Sequence, residues 1–127
     1  MLTQVFEGAD PMMLDWNGYR EQVLATVTEL ARTSPDTVRG YRQLSDAGSK
    51  KNLLGAKTRE LIARAVAVTL QCAGCITIHT NAALKEGATR DEIVEALAVA
   101  IAVNAGAALV YSTRVLDAYA ATASTAT

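Results

Sequence analysis

Hydrophobic residues recur along this chain at the spacing of three and four positions that is typical of amphipathic helices, and no stretch alternates convincingly as a strand would. The first periodic segment predicts a helix from about Tyr19 to Arg32, with Asp15 or Asn17 as its N-cap. A second helix is predicted to begin at Ser34-Pro35-Asp36, because serine is a favoured N-cap and proline fits the first helical position. This second helix should end near Gly48.

The second half of the chain continues the helical pattern. A third helix is predicted from about Ala56 to Leu70, and a fourth from about Cys72 to Lys85 with Gly87 as its C-terminal stop. Residues Thr89 to Glu92 match a capping box, in which a threonine and a glutamate each cap the other's backbone N–H group. A fifth helix should therefore begin at Arg90.

The last apolar stretch is predicted to contain a break. The fifth helix should run to about Val103, Asn104-Ala105-Gly106 should kink or end it, and a sixth helix should cover Ala107 to about Ala121. Residues 122–127 show no pattern and are predicted to form a disordered tail. These elements predict an all-α fold, a single-domain helical bundle of five to six helices over residues 1–127.

The segment from Ile93 to Val110 is apolar nearly all the way round a helix. A domain of 127 residues has few positions that deep, so we expect one side to face the core and another to face a second copy of the chain. The window from Ile93 to Tyr111 is also about as long as a membrane span, but it contains Glu95, Asn104 and many alanines. We therefore expect buried protein in a homo-oligomer and no membrane partner.

The composition agrees with one globular domain. Hydrophobic residues make up 50% of the chain and charged residues 20%, which argues against wholesale disorder. The formal net charge of −1 gives no electrostatic basis for binding nucleic acid. The segment from Met1 to Pro11 has no basic region followed by an apolar run, so we expect no secretory signal and a cytoplasmic location.

The candidate chemistry is concentrated in the octapeptide from Cys72 to His79. This segment contains the only two cysteines of the chain, Cys72 and Cys75, and its only histidine. On a helix the three side chains share one face, because they are separated by three and then four residues. Two thiols and an imidazole on one face indicate either thiol redox chemistry or a metal site.

The residues themselves suggest how redox chemistry would run. A cysteine at a helix start is stabilised as the reactive thiolate by the helix dipole. His79, one turn after Cys75, can accept or return a proton, and the second thiol can condense with a sulfenic acid to form a disulfide. Glu60 would orient His79 only if the chain turns back near Gln71, since the two residues are far apart on one straight helix.

Two other interpretations use the same residues. In the first, the two cysteines and His79 are zinc ligands with Glu60 as a fourth, although no second Cys or His pair completes a zinc site of a familiar kind. In the second, the cysteines are small buried hydrophobic residues of a non-catalytic helical oligomer.

The spacing E-x11-C-x-x-C-x-x-x-H, which begins at Glu60, resembles the signature of alkylhydroperoxidase D-like proteins. These proteins belong to the carboxymuconolactone decarboxylase superfamily. The flanking segments Lys57 to Ala63 and Asn81 to Thr89 are similar to that family as well, and the resemblance covers about residues 53–120.

This resemblance implies an all-helical fold that assembles into trimers or hexamers, and an antioxidant peroxidase that uses no bound cofactor or metal. It implies that Cys75 attacks the peroxide and passes through a sulfenic acid, and that Cys72 is its partner and proton donor. Glu60 and His79 would then form the proton relay. The implied partners are a small hydroperoxide substrate and a protein or small-molecule thiol reductant.

Two features of the sequence bear on which branch of the superfamily, peroxidase or decarboxylase, this chain resembles more. The best-known alkylhydroperoxidases carry a histidine just before the second cysteine, where this chain has Gly74, so one relay element is absent. The alternative within enzymes is a lactone-processing activity like that of carboxymuconolactone decarboxylase. That branch lacks the cysteine pair, which favours the peroxidase interpretation here.

Overall fold

The computed structural model describes residues 12–126, which contain five α-helices, one short 3-10 helix and no strand. The α-helices are α1 (Trp16–Thr33), α2 (Pro35–Ala47), α3 (Ala56–Thr69), α4 (Ala73–Lys85) and α5 (Arg90–Ala126), and the 3-10 helix is Gly48–Lys50. The predicted all-α fold is confirmed. Residues 1–11, on which the expectation of no secretory signal depends, lie outside the described residues.

The described residues form two compact units. The first ends at Leu53 and contains α1 and α2, which pack on each other. The second begins at Leu54 and contains α3, α4 and α5, with α3 packed against both of the others. The assignment of the whole chain to one domain stays a prediction.

Short-range hydrogen bonds define the starts of α1 and α2. Asp15, one of the two predicted caps, is the N-cap of α1 and accepts a hydrogen bond from the Gly18 N–H at 3.2 Å. Ser34 is the N-cap residue of α2 as predicted, but its Oγ bonds Thr37 Oγ1 at 2.7 Å instead of a backbone N–H.

A cleft of about 470 Å³ on α1 contains none of the candidate site residues; it is lined by Gln22, Val23, Thr26, Val27 and Leu30.

The second unit has a core of small side chains. Its buried residues are Ala67, Ala83, Ala88 and Ala100, together with the polar residues Arg64 and Thr77. Among the residues that the structure describes, no large side chain is fully buried. Alanines at the contacts allow helices to approach closely. Polar side chains on α3 and α4 can therefore meet.

The connection between α4 and α5 confirms two predicted signals. Gly87, with φ of +81°, follows the end of α4, and its N–H donates to the Leu84 carbonyl at 3.1 Å. Next, the Thr89 N–H donates to Glu92 Oε1 at 3.0 Å and the Glu92 N–H donates to Thr89 Oγ1 at 3.1 Å. This reciprocal pair is the expected capping box, and α5 begins at Arg90 as predicted.

The predicted break in the last apolar stretch is wrong, because α5 is continuous from Arg90 to Ala126. Asn104 supports the helix: its Nδ2 donates to the Ala100 carbonyl at 2.7 Å and to Thr69 Oγ1 of α3 at 2.9 Å. Gly106 remains helical at a cost of about 1 kcal/mol relative to alanine, which the alanine-rich surroundings offset.

The C-terminal end of α5 also differs from the prediction. Residues 122–126 are helical where a disordered tail was expected, because the helix that precedes them is already formed and alanine extends it readily. Thr127, the last residue of the predicted tail, lies outside the described residues.

Much of α5 is exposed within the single chain; the expectation for Ile93 to Val110 was that one side would face the core and another a second copy of the chain. Ala100 is the buried residue of this segment, whereas Val103 is 66% exposed and Leu109 is 74% exposed. Within residues 12–126, one helix, Arg90–Thr125, is long and apolar enough to cross a membrane by length and composition. The chain therefore leaves an apolar face of α5 uncovered.

Candidate active site

The chain turns back between α3 and α4 within the three residues Leu70 to Cys72. Gln71 has φ of +54°, a left-handed conformation that is uncommon outside glycine. The Gln71 N–H donates to the Val68 carbonyl at 3.1 Å, and the Cys72 N–H donates to the Ala67 carbonyl at 3.0 Å. These two bonds form a Schellman motif, so only the three residues Leu70 to Cys72 separate α3 from α4.

Cys72 and Cys75 lie at the N-terminal end of α4 and are joined by a disulfide, with their Cα atoms 5.2 Å apart. Cys72 is the N-cap residue, and its Sγ accepts a hydrogen bond from the Cys75 N–H at 3.2 Å. Both residues are half-buried. The pair fits a Cys-x-x-Cys redox motif at a helix start, where the helix dipole favours the thiolate after reduction.

Glu60 of α3 and His79 of α4 form a hydrogen-bonded pair. His79 Nδ1 lies 2.7 Å from Glu60 Oε2, and the two side chains are 30% and 25% exposed. Because an ionised carboxylate only accepts hydrogen bonds, Nδ1 carries the hydrogen and Nε2 is left as the basic atom of the ring. The chain does turn near Gln71, which was the condition stated in the sequence analysis, and this turn brings Glu60 and His79 together.

The structure thus places the four residues singled out from the sequence on two facing helices. It bonds Cys72 to Cys75 and pairs Glu60 with His79, which lies one helical turn after Cys75. Gly74, between the cysteines, has no side chain to contribute to the site. The arrangement combines a disulfide-bonded cysteine pair with an imidazole that a carboxylate orients, which are the groups that thiol chemistry with proton transfer requires.

Arg64 was missed by the sequence analysis. It follows Glu60 by four residues on α3 and is only 3% exposed, and its Nε, Nη1 and Nη2 atoms have no hydrogen-bond partner within residues 12–126. Burial away from water lowers the pKa of Arg64, and the charge of Glu60 partly opposes this effect. The spacing of four from Glu60 was the available signal, because such residues are neighbours on a helix.

A second charged pair joins the starts of α3 and α5. Lys57 Nζ lies 2.7 Å from Glu92 Oε2, while the other oxygen of Glu92 caps the Thr89 N–H. The hydrogen bond from Lys57, followed by the bond from the Thr89 backbone, lowers the pKa of Glu92 to about 2. This pair fixes the first turn of α3, which lies immediately before Glu60.

The zinc interpretation finds no support in the geometry. Within residues 12–126, no group of three or more histidine, cysteine, aspartate or glutamate side chains is placed to hold a metal ion. The sulfur atoms of Cys72 and Cys75 are bonded to each other, whereas zinc would require both as thiolates.

The chain is similar to proteins of one family. The sequence model of the carboxymuconolactone decarboxylase family matches residues 35–118. The crystal structure of the apo form of a carboxymuconolactone decarboxylase family protein from Legionella pneumophila superposes with a TM-score of 0.67 at 32% identity, covering 80% of this chain and 91% of that chain. The resemblance inferred from the motif is therefore confirmed at the level of the superfamily.

Two relatives share most of the chain. A protein of Haemophilus influenzae, described as uncharacterized, is 47% identical over 108 residues, which are 85% of this chain and 96% of the relative. A protein of Paracoccus denitrificans, described as uncharacterized protein 4 in the cox locus, is 36% identical over 92 residues, which are 72% of this chain and 83% of the relative.

Proposed function

Because the chain belongs to the carboxymuconolactone decarboxylase family, we propose that it is an alkylhydroperoxidase-like thiol peroxidase that reduces small hydroperoxides. The observation that carries this proposal is the disulfide between Cys72 and Cys75 at the start of α4, one turn before a histidine that a carboxylate orients. This antioxidant chemistry requires a nucleophilic thiol, a second thiol and a proton carrier, and it uses no bound cofactor.

The first step forms a sulfenic acid on Cys75. His79 Nε2 takes the thiol proton, and the Cys75 thiolate attacks the terminal oxygen of the hydroperoxide. The O–O bond breaks, the sulfur gains a hydroxyl group, and the departing alkoxide takes the proton back from His79 to become the alcohol. We assign the attack to Cys75 because it lies one helical turn from His79.

The second step closes the disulfide. The Cys72 thiol attacks the sulfenic sulfur, an S–S bond forms, and the hydroxyl group leaves with the proton of Cys72 as water. One hydroperoxide and two thiols thus become one alcohol, one water and one disulfide. A protein or small-molecule thiol then reduces the disulfide by thiol–disulfide exchange and restores both cysteines.

Assembly and location complete the proposal. The exposed apolar face of α5 supports a homo-oligomer, a trimer or hexamer by likeness to the family, in which further copies of the chain cover that face. A cytoplasmic location suits the chemistry, because cellular thiols keep such a pair reduced between turnovers.

Replacing each cysteine tests the proposal. With a panel of thiol reductants, Cys75→Ser should abolish hydroperoxide consumption, because the attacking thiolate is gone. Cys72→Ser should stop after a single turnover, with a sulfenic acid on Cys75 that a dimedone-type reagent traps and mass spectrometry locates.

Three other outcomes would contradict the proposal or part of it. A trapped sulfenic acid on Cys72 in the Cys75→Ser variant would reverse the assignment of the two thiols. Lactone turnover that survives replacement of both cysteines would favour the decarboxylase-like alternative. A folded oligomer that consumes neither substrate would favour the non-catalytic alternative.

A further inference from the structure

The backbone N–H of Cys75 is directed at one of the two sulfurs of the disulfide. It donates to Cys72 Sγ at 3.2 Å, and Cys72 is the N-cap residue of α4. An N-cap side chain accepts the N–H of the second or third residue of a helix, which has no backbone partner of its own. Neither step of the proposed peroxide reduction uses this hydrogen bond, although it makes the two sulfurs different.

This donor has its largest effect when the disulfide is reduced. A reducing thiolate attacks one of the two sulfurs, and the other departs with a negative charge. A neutral sulfur is a weak acceptor, whereas a thiolate accepts the same N–H in a stronger, charge-assisted hydrogen bond. Because the N–H already lies at Cys72 Sγ, a negative charge on this sulfur is stabilised without rearrangement of the backbone.

His79 does not provide a comparable donor to Cys75. The Nδ1 hydrogen of its ring is directed at Glu60 Oε2, 2.7 Å away, so Nε2 has no hydrogen to give to a departing Cys75 sulfur. The proposed peroxide reduction leaves the ring in this form, because His79 returns its proton to the alkoxide. Since the sulfur that is better stabilised as a thiolate departs faster, we expect Cys72 to be the leaving group.

We propose that the reducing thiol attacks Cys75 Sγ and that the Cys75 N–H stabilises the departing thiolate of Cys72. This inference rests on the proposed function for its place in turnover, but the choice between the sulfurs does not depend on peroxide chemistry. The Cys72–Cys75 bond breaks, a bond forms between Cys75 Sγ and the reductant sulfur, and the proton lost by the reductant goes to Cys72.

A second reductant thiol completes the reduction. It attacks the reductant sulfur of the mixed disulfide, and Cys75 leaves and takes up the second proton. Two reductant thiols are thereby oxidised to one disulfide, and both cysteines are reduced. Cys75 thus carries the sulfenic acid in one half of the cycle and the reductant in the other, whereas Cys72 closes and opens the disulfide.

The position of the mixed disulfide tests the inference directly. The oxidised, full-length wild type is mixed with N-acetylcysteine, the reaction is stopped with acid, free thiols are alkylated, and tandem mass spectrometry locates the reagent. It should lie on Cys75 in about threefold excess or more over Cys72, the effect on exchange rates of about one pH unit in thiol acidity. Later exchange between the two cysteines would favour the same product, because the free thiolate is then the stabilised one at Cys72.

A matched pair of variants tests the role of the N–H. Cys75→Ala keeps this donor and Cys75→Pro removes it, while both lack the second thiol. Proline is tolerated in the first turn of a helix. The pH midpoint for alkylation of Cys72 should lie below about 8.5, the value of a free cysteine, in Cys75→Ala. It should be higher by about one unit or more in Cys75→Pro, whose helix content circular dichroism verifies.

An NMR titration of the reduced wild type gives the same information if Cys75→Pro does not fold. The amide proton of Cys75 should shift with the pH midpoint that alkylation gives for Cys72, because it donates to that sulfur. The amide proton of Leu84, in the last turn of the same helix, is the control and should not follow this midpoint.

Each outcome decides the matter. The inference is overturned by a mixed disulfide on Cys72 or spread evenly over both cysteines, by equal midpoints in the two folded variants, or by a Cys75 amide that does not respond to Cys72. If the results are as expected but the wild type consumes no hydroperoxide, the proposed function fails while attack at Cys75 stands. Hydroperoxide consumption with the mixed disulfide on Cys72 would overturn this inference alone.

Discussion

At the residue scale, the site depends on Cys72, which takes part in hydrogen bonds at the end of α3 and at the start of α4. Its N–H completes the Schellman motif of α3 on the Ala67 carbonyl, and its sulfur accepts the Cys75 N–H at the start of α4. The cysteine pair is therefore fixed directly to the turn. Gln71, which occupies the left-handed position of that turn, has the conformation that a glycine would adopt with less strain.

Replacing Gln71 by glycine should stabilise the protein. The left-handed conformation costs a residue with a side chain about 1–2 kcal/mol, and glycine would avoid this strain. Because glycine is also more flexible in the unfolded chain, it loses more entropy on folding, which cancels part of the gain in stability. We expect the free energy of unfolding of the reduced protein to rise by about 0.5–1 kcal/mol in urea denaturation.

The matched control for this change is Gly87→Ala at the end of α4. Gly87 also has a positive φ, of +81°, so a side chain there should lower the free energy of unfolding. A loss of stability in Gln71→Gly would show that the glutamine side chain supports the turn in a way that this account omits.

At the element scale, α3 organises the second unit through one charged face. Lys57 connects it to the capping glutamate of α5, and Glu60 connects it to His79 of α4. Because these contacts are successive on one helix, a shift of α3 would disturb both. The pair at the start of α3 therefore supports the position of Glu60 in the candidate site.

The pH dependence of the Lys57–Glu92 pair can be predicted with its sign. The pKa of Glu92 is lowered from 4.5 in its ordinary state to about 2 in the fold, so the pair contributes its full stabilisation when the pH is above 4.5. That stabilisation decreases below this pH and is lost as the pH falls through about 2. Glu92→Gln should have a lower free energy of unfolding than wild type near neutral pH, and the difference should fade between these two pH values.

Glutamine retains the side-chain oxygen that caps the Thr89 N–H, so this variant isolates the charge. Lys57→Met, which removes the other partner, should show the same convergence with wild type at low pH. Chemical denaturation across the acidic range measures both. A difference that stays constant over that range would mean that the ion pair is not its source.

The elements also show what sequence patterns can and cannot establish. The capping box at Thr89 and the stop at Gly87 were predictable, because each is a local signal read within four residues. The continuity of α5 at Asn104 was not, since it depends on a bond to Thr69, 35 positions away in sequence.

In the candidate site too, local sequence signals were predictable, whereas features that depend on long-range packing were not. The residues Cys72, Cys75, His79 and Glu60 stood out through their rarity and spacing. Arg64 did not, because an arginine in a periodic helix is normally assigned to the surface. Its burial is visible only in the folded structure.

At the scale of the whole molecule, the main feature is the uncovered apolar face of α5. Val103 and Leu109 are mostly exposed, and the chain's own core consists largely of alanines. Apolar surface stabilises a protein only when it is removed from water, at about 25 cal/mol per Å². The expected consequence is a closed homo-oligomer that forms at low concentration.

A charge at Val103 should disrupt that assembly. In Val103→Asp, the carboxylate would be buried and unpaired at the contact between copies, which costs several kcal/mol. Sedimentation velocity should show smaller species than wild type, while the control Val103→Ala should remain assembled. Ala100 is unsuitable for this test because it is buried in the chain itself. A wild type that sediments as a folded monomer at micromolar concentration would contradict the prediction.

The most direct test of the central claim is a count of thiols before and after peroxide. The reduced protein, treated without oxygen with one equivalent of an alkyl hydroperoxide, should lose both thiols of its two cysteines. It should yield one alcohol per chain, an intrachain Cys72–Cys75 disulfide by mass spectrometry and no covalent dimer. Thiols that persist after peroxide, or that stoichiometric zinc protects, would contradict the account of this chain as a thiol peroxidase.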